Sequence, residues 1–147
     1  MSEVTIDTDS QDADTPGMAA TPHVKDIVFD CLNAEAVADF WSRLLSRPVA
    51  GRTGPYIWLD RGGGVGLVFQ QVSSVSPGKN RLHLDLGSTD LDGDQRRVEL
   101  LGGHRVSGYD VGGFLVMADL EGNEFCIIPA APFDVDADSR TDYLHRD

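Results

Sequence analysis

Nowhere in the 147 residues is there a run of about 18 consecutive apolar side chains, the length that a membrane-spanning helix requires. The N-terminus has neither the basic leader nor the apolar core of a secretion signal, so a soluble, cytoplasmic chain is expected. Cysteine is scarce, at two residues, which excludes a disulfide scaffold. Positive charge is scarce as well: 12 Lys and Arg stand against 24 Asp and Glu, giving a formal net charge of -12. A surface of that sign repels phosphate backbones and anionic lipids. Nucleic acid and membranes are therefore not expected partners, and a small-molecule ligand is; a homodimer stays open. The length suits one compact domain and is too short for two.

Much of the acidity sits at the ends. Residues 1–22 carry Glu3, Asp7, Asp9, Asp12 and Asp14 with no Lys or Arg, and residues 134–147 carry five Asp against Arg140 and Arg146. Both ends offer little apolar surface to offset the entropy of ordering them, so they are expected to be solvated, flexible tails. The domain is expected at 23–133.

Within it, two stretches have the same order of elements. Ile27, Phe29 and Cys31 alternate with Asp26, Val28 and Asp30 in a strand over 24–31. Asn33 is a helix N-cap, after which Val37, Phe40, Trp41, Leu44 and Leu45 form one helical stripe that Pro48 ends. Strands follow near Val49–Arg52, at Tyr56–Asp60 and at Val65–Val72, the last two joined by Arg61-Gly62-Gly63-Gly64, a hairpin-turn composition. That glycine run precedes a strand and lacks a following Lys-Ser/Thr, so a turn is expected there, not a phosphate cradle.

The second stretch begins with a strand over Arg81–Ser88. A helix capped by Asp90 follows over Leu91–Leu101, with a thin stripe of Leu91, Val98 and Leu101 and a Gly102-Gly103 end. Strands at His104–Ser107, Phe114–Ala118 and Glu124–Ile128 complete it. An α+β fold of two tandem βαβββ modules, 24–75 and 80–130, is the economical description.

Three runs carry a family resemblance: Asn33 through Trp41, Lys79-Asn80-Arg81-Leu82-His83-Leu84-Asp85-Leu86, and Asp119-Leu120-Glu121-Gly122-Asn123-Glu124-Phe125-Cys126. Together they resemble the glyoxalase-like domains of the vicinal oxygen chelate superfamily, which are grouped with bleomycin resistance proteins and extradiol dioxygenases. The resemblance implies that the modules' mixed sheets curl into a cup with the helices outside and the ligand inside. It also implies a metal site in which the first strand of each module gives one ligand and the last strands give carboxylates. His83 matches the family's histidine ligand. Asp26 occupies the other first-strand position, usually His or Gln, and Cys126 stands where a ligand Glu is usual. Glu124 comes two residues too early, and the first-module counterpart of Cys126, counted from Asp60, is Leu67.

Alternation along the strands sorts the remaining residues. Asp26, Val28 and Asp30 should face the cup, as should Arg81, His83 and Asp85, whereas Leu82, Leu84 and Leu86 should face the helix. The catalytic candidates are thus His83, Asp26 and Asp85, as general base or metal ligand beside a substrate carbonyl or diol. The ligand-pocket candidates are Asp30, Trp58, Tyr56, Arg81, Glu124 and Cys126. Cys31 and Cys126 fall on opposite faces, so no disulfide is expected. No cofactor is required by the sequence, and a divalent metal on His83 and Asp26 stays open. Two functions follow: a lyase-like or isomerase-like enzyme with an incomplete metal triad, or a metal-free protein that sequesters a ligand in the manner of bleomycin resistance proteins.

Overall fold

A computed structural model of the chain describes residues 21–108 and 113–130. The two acidic tails expected from the sequence lie outside the described residues, save for Thr21 and Pro22. Strand β1 (Asp26–Cys31) leads into helix α1 (Ala34–Leu45), and β2 (Val49–Thr53), β3 (Tyr56–Leu59) and β4 (Gly66–Gln71) close the first module. The second repeats the order as β5 (Asp85–Ser88), α2 (Leu91–Leu100), β6 (His104–Gly108), β7 (Leu115–Ala118) and β8 (Glu124–Pro129). Each module forms one four-stranded mixed sheet, ordered β1-β4-β3-β2 in the first and β5-β8-β7-β6 in the second. In each sheet the module's first strand lies at one edge and pairs parallel with its last, β1 with β4 and β5 with β8, while the remaining neighbours run antiparallel.

Local chemistry accounts for the helix boundaries. The Asn33 carboxamide accepts from the Ala36 amide at 3.1 Å and the Asp90 carboxylate from the Gly93 amide at 3.0 Å, so each helix has a side-chain N-cap. Beyond α2, Gly102 takes φ +103°, a left-handed conformation that a side chain would resist. Helix α1 buries Val37, Phe40, Trp41 and Leu44, the expected stripe, while α2 buries only Val98. One core crosses both modules: Trp41 of α1 meets Phe125 of β8 edge-on at 4.7 Å between ring centres, and Phe29 stacks on Phe69 at 5.2 Å. The indole Nε1 of Trp41 also donates to the Asp119 carboxylate at 2.9 Å, a buried bond from the first module's helix to the second module's hairpin turn.

Two expectations require correction. Strand β5 begins at Asp85, and Arg81–Leu84 lie outside the sheet. The alternation of Leu82, Leu84 and Leu86 mimicked a strand, but a strand needs a ladder partner, and pairing with β8 starts at Asp85 opposite Cys126, with one further bond from the Cys126 amide to the Leu84 carbonyl. Leu84 and Leu86 do pack against the core, whereas Leu82 is exposed. Secondly, the counterpart of Cys126 is Val68, not Leu67: Val28 pairs with Val68 as Asp85 pairs with Cys126, and Leu67 is buried in the core. The first module's turn over 60–65 is one residue longer than the second's over 119–123, which shifts the count.

Candidate functional site

Every sheet residue that faces away from the main core contributes to the open side of the fold. In the first module these are Asp26, Val28 and Asp30 on β1, with Tyr56 and Trp58 on β3 opposite the buried Ile57 and Leu59. Trp58 lies flat on Gly51: a Cβ at that position would drive into the indole ring, so the ring's placement depends on this glycine. In the second module the same face carries Glu124 and Cys126 of β8, and Cys126 and Ile128 form a small apolar cluster with Phe114 and Val116, separate from the main core.

At the seam between the modules lies a cavity of about 520 Å³. One wall is β1, through Val28, Phe29 and Asp30; the other is the connector 74–84, through Val75, Arg81, Leu82 and His83; the turn Glu121–Asn123 closes one end. The cavity thus collects Asp30, Arg81 and His83 from the residues expected at the site. Tyr56, Trp58 and Glu124 share the open face but do not line it, and Glu124 instead lies 3.9 Å from the Lys79 ammonium. The connector residues Ser74, Val75 and Ser76 and the turn residue Glu121 were not foreseen. The available signal was the length of the link between the two modules, which exceeds an ordinary hairpin.

The turn is rigidly held. The Glu121 carboxylate accepts from the Leu32 and Asn33 amides at 2.8 and 2.7 Å, and Asn80 Nδ2 donates to the Asn123 side-chain Oδ1 at 2.6 Å. The buried Asp119 carboxylate accepts from the Glu121 and Asn123 amides as well as from Trp41. The motif from Asp119 to Asn123 is therefore a joint that fixes the cavity's end wall against α1.

The metal set implied by the resemblance does not assemble here. Asp26 is bound to the Arg61 guanidinium at 3.0 Å and lies 3.7 Å from the Lys25 ammonium, so its carboxylate already has cationic partners. The group that does converge is His83, Asp85 and Cys126, one ligand atom from each lying within 4.8 Å of the others. Asp26 is not a member of it. His83 Nε2 stands 3.3 Å from Asp85 Oδ1. Neither cysteine is in a disulfide. Burial, followed by the nearby carboxylates of Glu121, Asp119 and Asp30, pushes the Cys31 thiol from its ordinary 9.0 up to about 12, so it is an inert packing group.

Two βαβββ modules with mixed sheets and a ligand-sized cavity at their seam define a protein of the vicinal oxygen chelate type. The family model of the glyoxalase-like domain matches residues 26–128, and the chain belongs to that family. No curated protein sequence matches it. Among solved structures it is similar to a glyoxalase/bleomycin resistance protein/dioxygenase family enzyme from Burkholderia phytofirmans PsJN, with a TM-score of 0.63 at 16% identity over 72% of this chain and 97% of that one. It is also similar to TnmS3, an antibiotic binding protein from Streptomyces sp. CB03234, with a TM-score of 0.56 at 19% identity over 75% and 97% of the two chains. A third likeness is to the oxidase ChaP-H2, with a TM-score of 0.58 at 19% identity over 74% and 94%. At these identities the likeness carries the fold. Among the described residues no helix is long and apolar enough to cross a membrane.

Proposed function

We propose that the protein captures a small organic molecule in the seam cavity by binding, without the metal-centred lyase or isomerase chemistry found elsewhere on this fold. The observation that carries this reading is the cavity itself. At about 520 Å³ it falls inside the range of small-molecule sites, and it pairs apolar walls with a few convergent polar groups. Val28, Phe29, Val75 and Leu82 supply apolar contact. Asp30 and Arg81 supply one charge of each sign, and among the described residues neither is engaged in an ion pair. The complementary ligand is amphipathic and carries both a cationic or hydroxyl group for Asp30 and an acidic or carbonyl oxygen for Arg81. The engagement of Asp26 by Arg61 argues against the family's metal set, and the antibiotic-binding neighbour is in keeping with sequestration.

Proton-transfer enzymology is the second reading, favoured by the His83–Asp85 pair, in which the carboxylate orients the imidazole as a general base facing the cavity. A thermal-shift screen of dicarbonyls, catechols and glycopeptide drugs, run in chelator, separates the two. Binding at 100 times the dissociation constant should add about 2.7 kcal/mol of stability. Val28→Arg, which fills the cavity from an exposed position, should abolish that gain. Turnover of a dicarbonyl, or stabilisation seen only with added metal, would overturn the sequestration reading.

A further inference from the structure

We infer that the connector over residues 73–83 is a strap that gates the seam cavity, latched to the second module's hairpin turn through Asn80 and Asn123. The inference rests on the reading of that cavity as the ligand site. The strap is tied down at both ends. The Val72 amide donates to the Cys31 carbonyl and the Cys126 amide to the Leu84 carbonyl, each at 2.9 Å, and Leu84 packs against the core. Between those ties, among the described residues, 73–83 makes no backbone hydrogen bond. All of its residues are exposed except Asn80, which is partly buried. Few buried contacts and an unbonded backbone are the physical signature of a segment that opens locally at low cost. Yet this segment supplies nearly half of the residues that line the cavity.

A chain of side chains holds the strap's middle. Trp41 Nε1 donates to the buried Asp119 carboxylate at 2.9 Å, and Asn123 Nδ2 donates to both oxygens of the same carboxylate at 3.1 and 2.9 Å. Those bonds fix which way the Asn123 carboxamide points, and its Oδ1 is left to accept from Asn80 Nδ2 at 2.6 Å. The latch is thus anchored in the core, while the segment it holds lies on the surface. The strap's ionic contacts are weaker: Lys79 lies 3.9 Å from Glu124, and His83 Nε2 lies 3.3 Å from Asp85 at the strap's end, all on solvent-accessible side chains. Gly78, at φ +93° with open space where a Cβ would stand, gives the strap a turn that nothing obstructs. On the strap, Val75 and Leu82 are 46% and 66% exposed, and Val28 on the opposite wall is 49% exposed. A ligand between the walls covers all three, so burial of this apolar surface draws the strap shut.

Hydrogen exchange and stopped-flow kinetics of the full chain test this, with 1-anilinonaphthalene-8-sulfonate as the probe. Its rings suit the apolar walls and its sulfonate suits Arg81. In the absence of probe, amides of 73–83 should exchange far faster than those of β1, and saturating probe should slow them by about tenfold or more. Asn80→Ala removes one hydrogen bond at the surface, so it should speed probe release by about fivefold and leave the association rate nearly unchanged. Probe that binds Val28→Arg as tightly as the native chain would overturn the cavity reading and the strap with it. Where Val28→Arg abolishes binding, three results would each overturn the strap alone: release from Asn80→Ala at the native rate, protection of 73–83 equal to that of β1 before probe is added, or no slowing at saturation.

Discussion

Replacement of Asp119 by Ala should be among the most damaging single changes in the molecule, although the residue touches no ligand. Its side chain is 1% exposed and receives four donors: Trp41 Nε1 at 2.9 Å, the Glu121 amide at 2.9 Å, the Asn123 amide at 3.0 Å and Asn123 Nδ2 at 2.9 Å. The Trp41 ring is 0% exposed, so truncation strands its N–H where water cannot reach, a cost of about 1–3 kcal/mol. Glu121 and Asn123 are only partly buried, so their donors recover some hydration, and together they add about 1–2 kcal/mol. The sum, about 2–5 kcal/mol, is a large share of the 5–15 kcal/mol that typically holds a domain folded. Urea unfolding followed by tryptophan fluorescence measures it. A double-mutant cycle with Trp41→Phe isolates the inter-module bond and should return a coupling of about 1–2 kcal/mol. A loss below about 1 kcal/mol for Asp119→Ala, or strict additivity in the cycle, would refute the assignment of this motif as the joint between modules.

Gly51→Ala should cost about 1–3 kcal/mol and shift the tryptophan emission, because the new methyl group displaces the Trp58 ring that rests on this glycine; unchanged emission would contradict the close approach. The Cys31 thiol should make stability fall in alkali. Its folded pKa is raised to about 12, so its contribution is complete below pH 9.0 and is lost as pH rises toward the folded value, since the unfolded chain gives up the proton first. Thermal melts of Cys31→Ala should therefore decline less steeply over that window than those of the native chain, and parallel slopes would count against the assignment.

Periodicity and capping chemistry made much of the fold legible. The stripe Val37, Phe40, Trp41 and Leu44, the caps Asn33 and Asp90, and the glycine after α2 all occupy their expected places, because each depends on residues within a few positions. What escaped the sequence depends on distant partners. Arg81–Leu84 alternates like a strand yet has no ladder partner, and only the register of β8 reveals that β5 starts at Asp85. The pairing of Asp26 with Arg61 joins residues 35 positions apart and removes Asp26 from the converging group, which nothing local announces. His83, Asp85 and Cys126 were each singled out, but as members of different sets, and that Asp85 joins the other two follows from its place opposite Cys126 in the sheet. The cavity wall from Ser74 to Ser76 has no periodicity at all, and its role arises from the connector lining the same cavity as β1.

The claim that the seam cavity holds the ligand is tested most directly by mapping amide chemical shifts of the labelled protein during titration with the compound that stabilises it most. Shifts should concentrate at Val28, Asp30, Val75, Leu82, His83 and Asn123, with Arg43 on α1 and Arg52 on β2 unmoved. Shifts centred instead on Tyr56 and Trp58, with the β1 and connector residues unmoved, would contradict the account and move the binding site to the first module's open face.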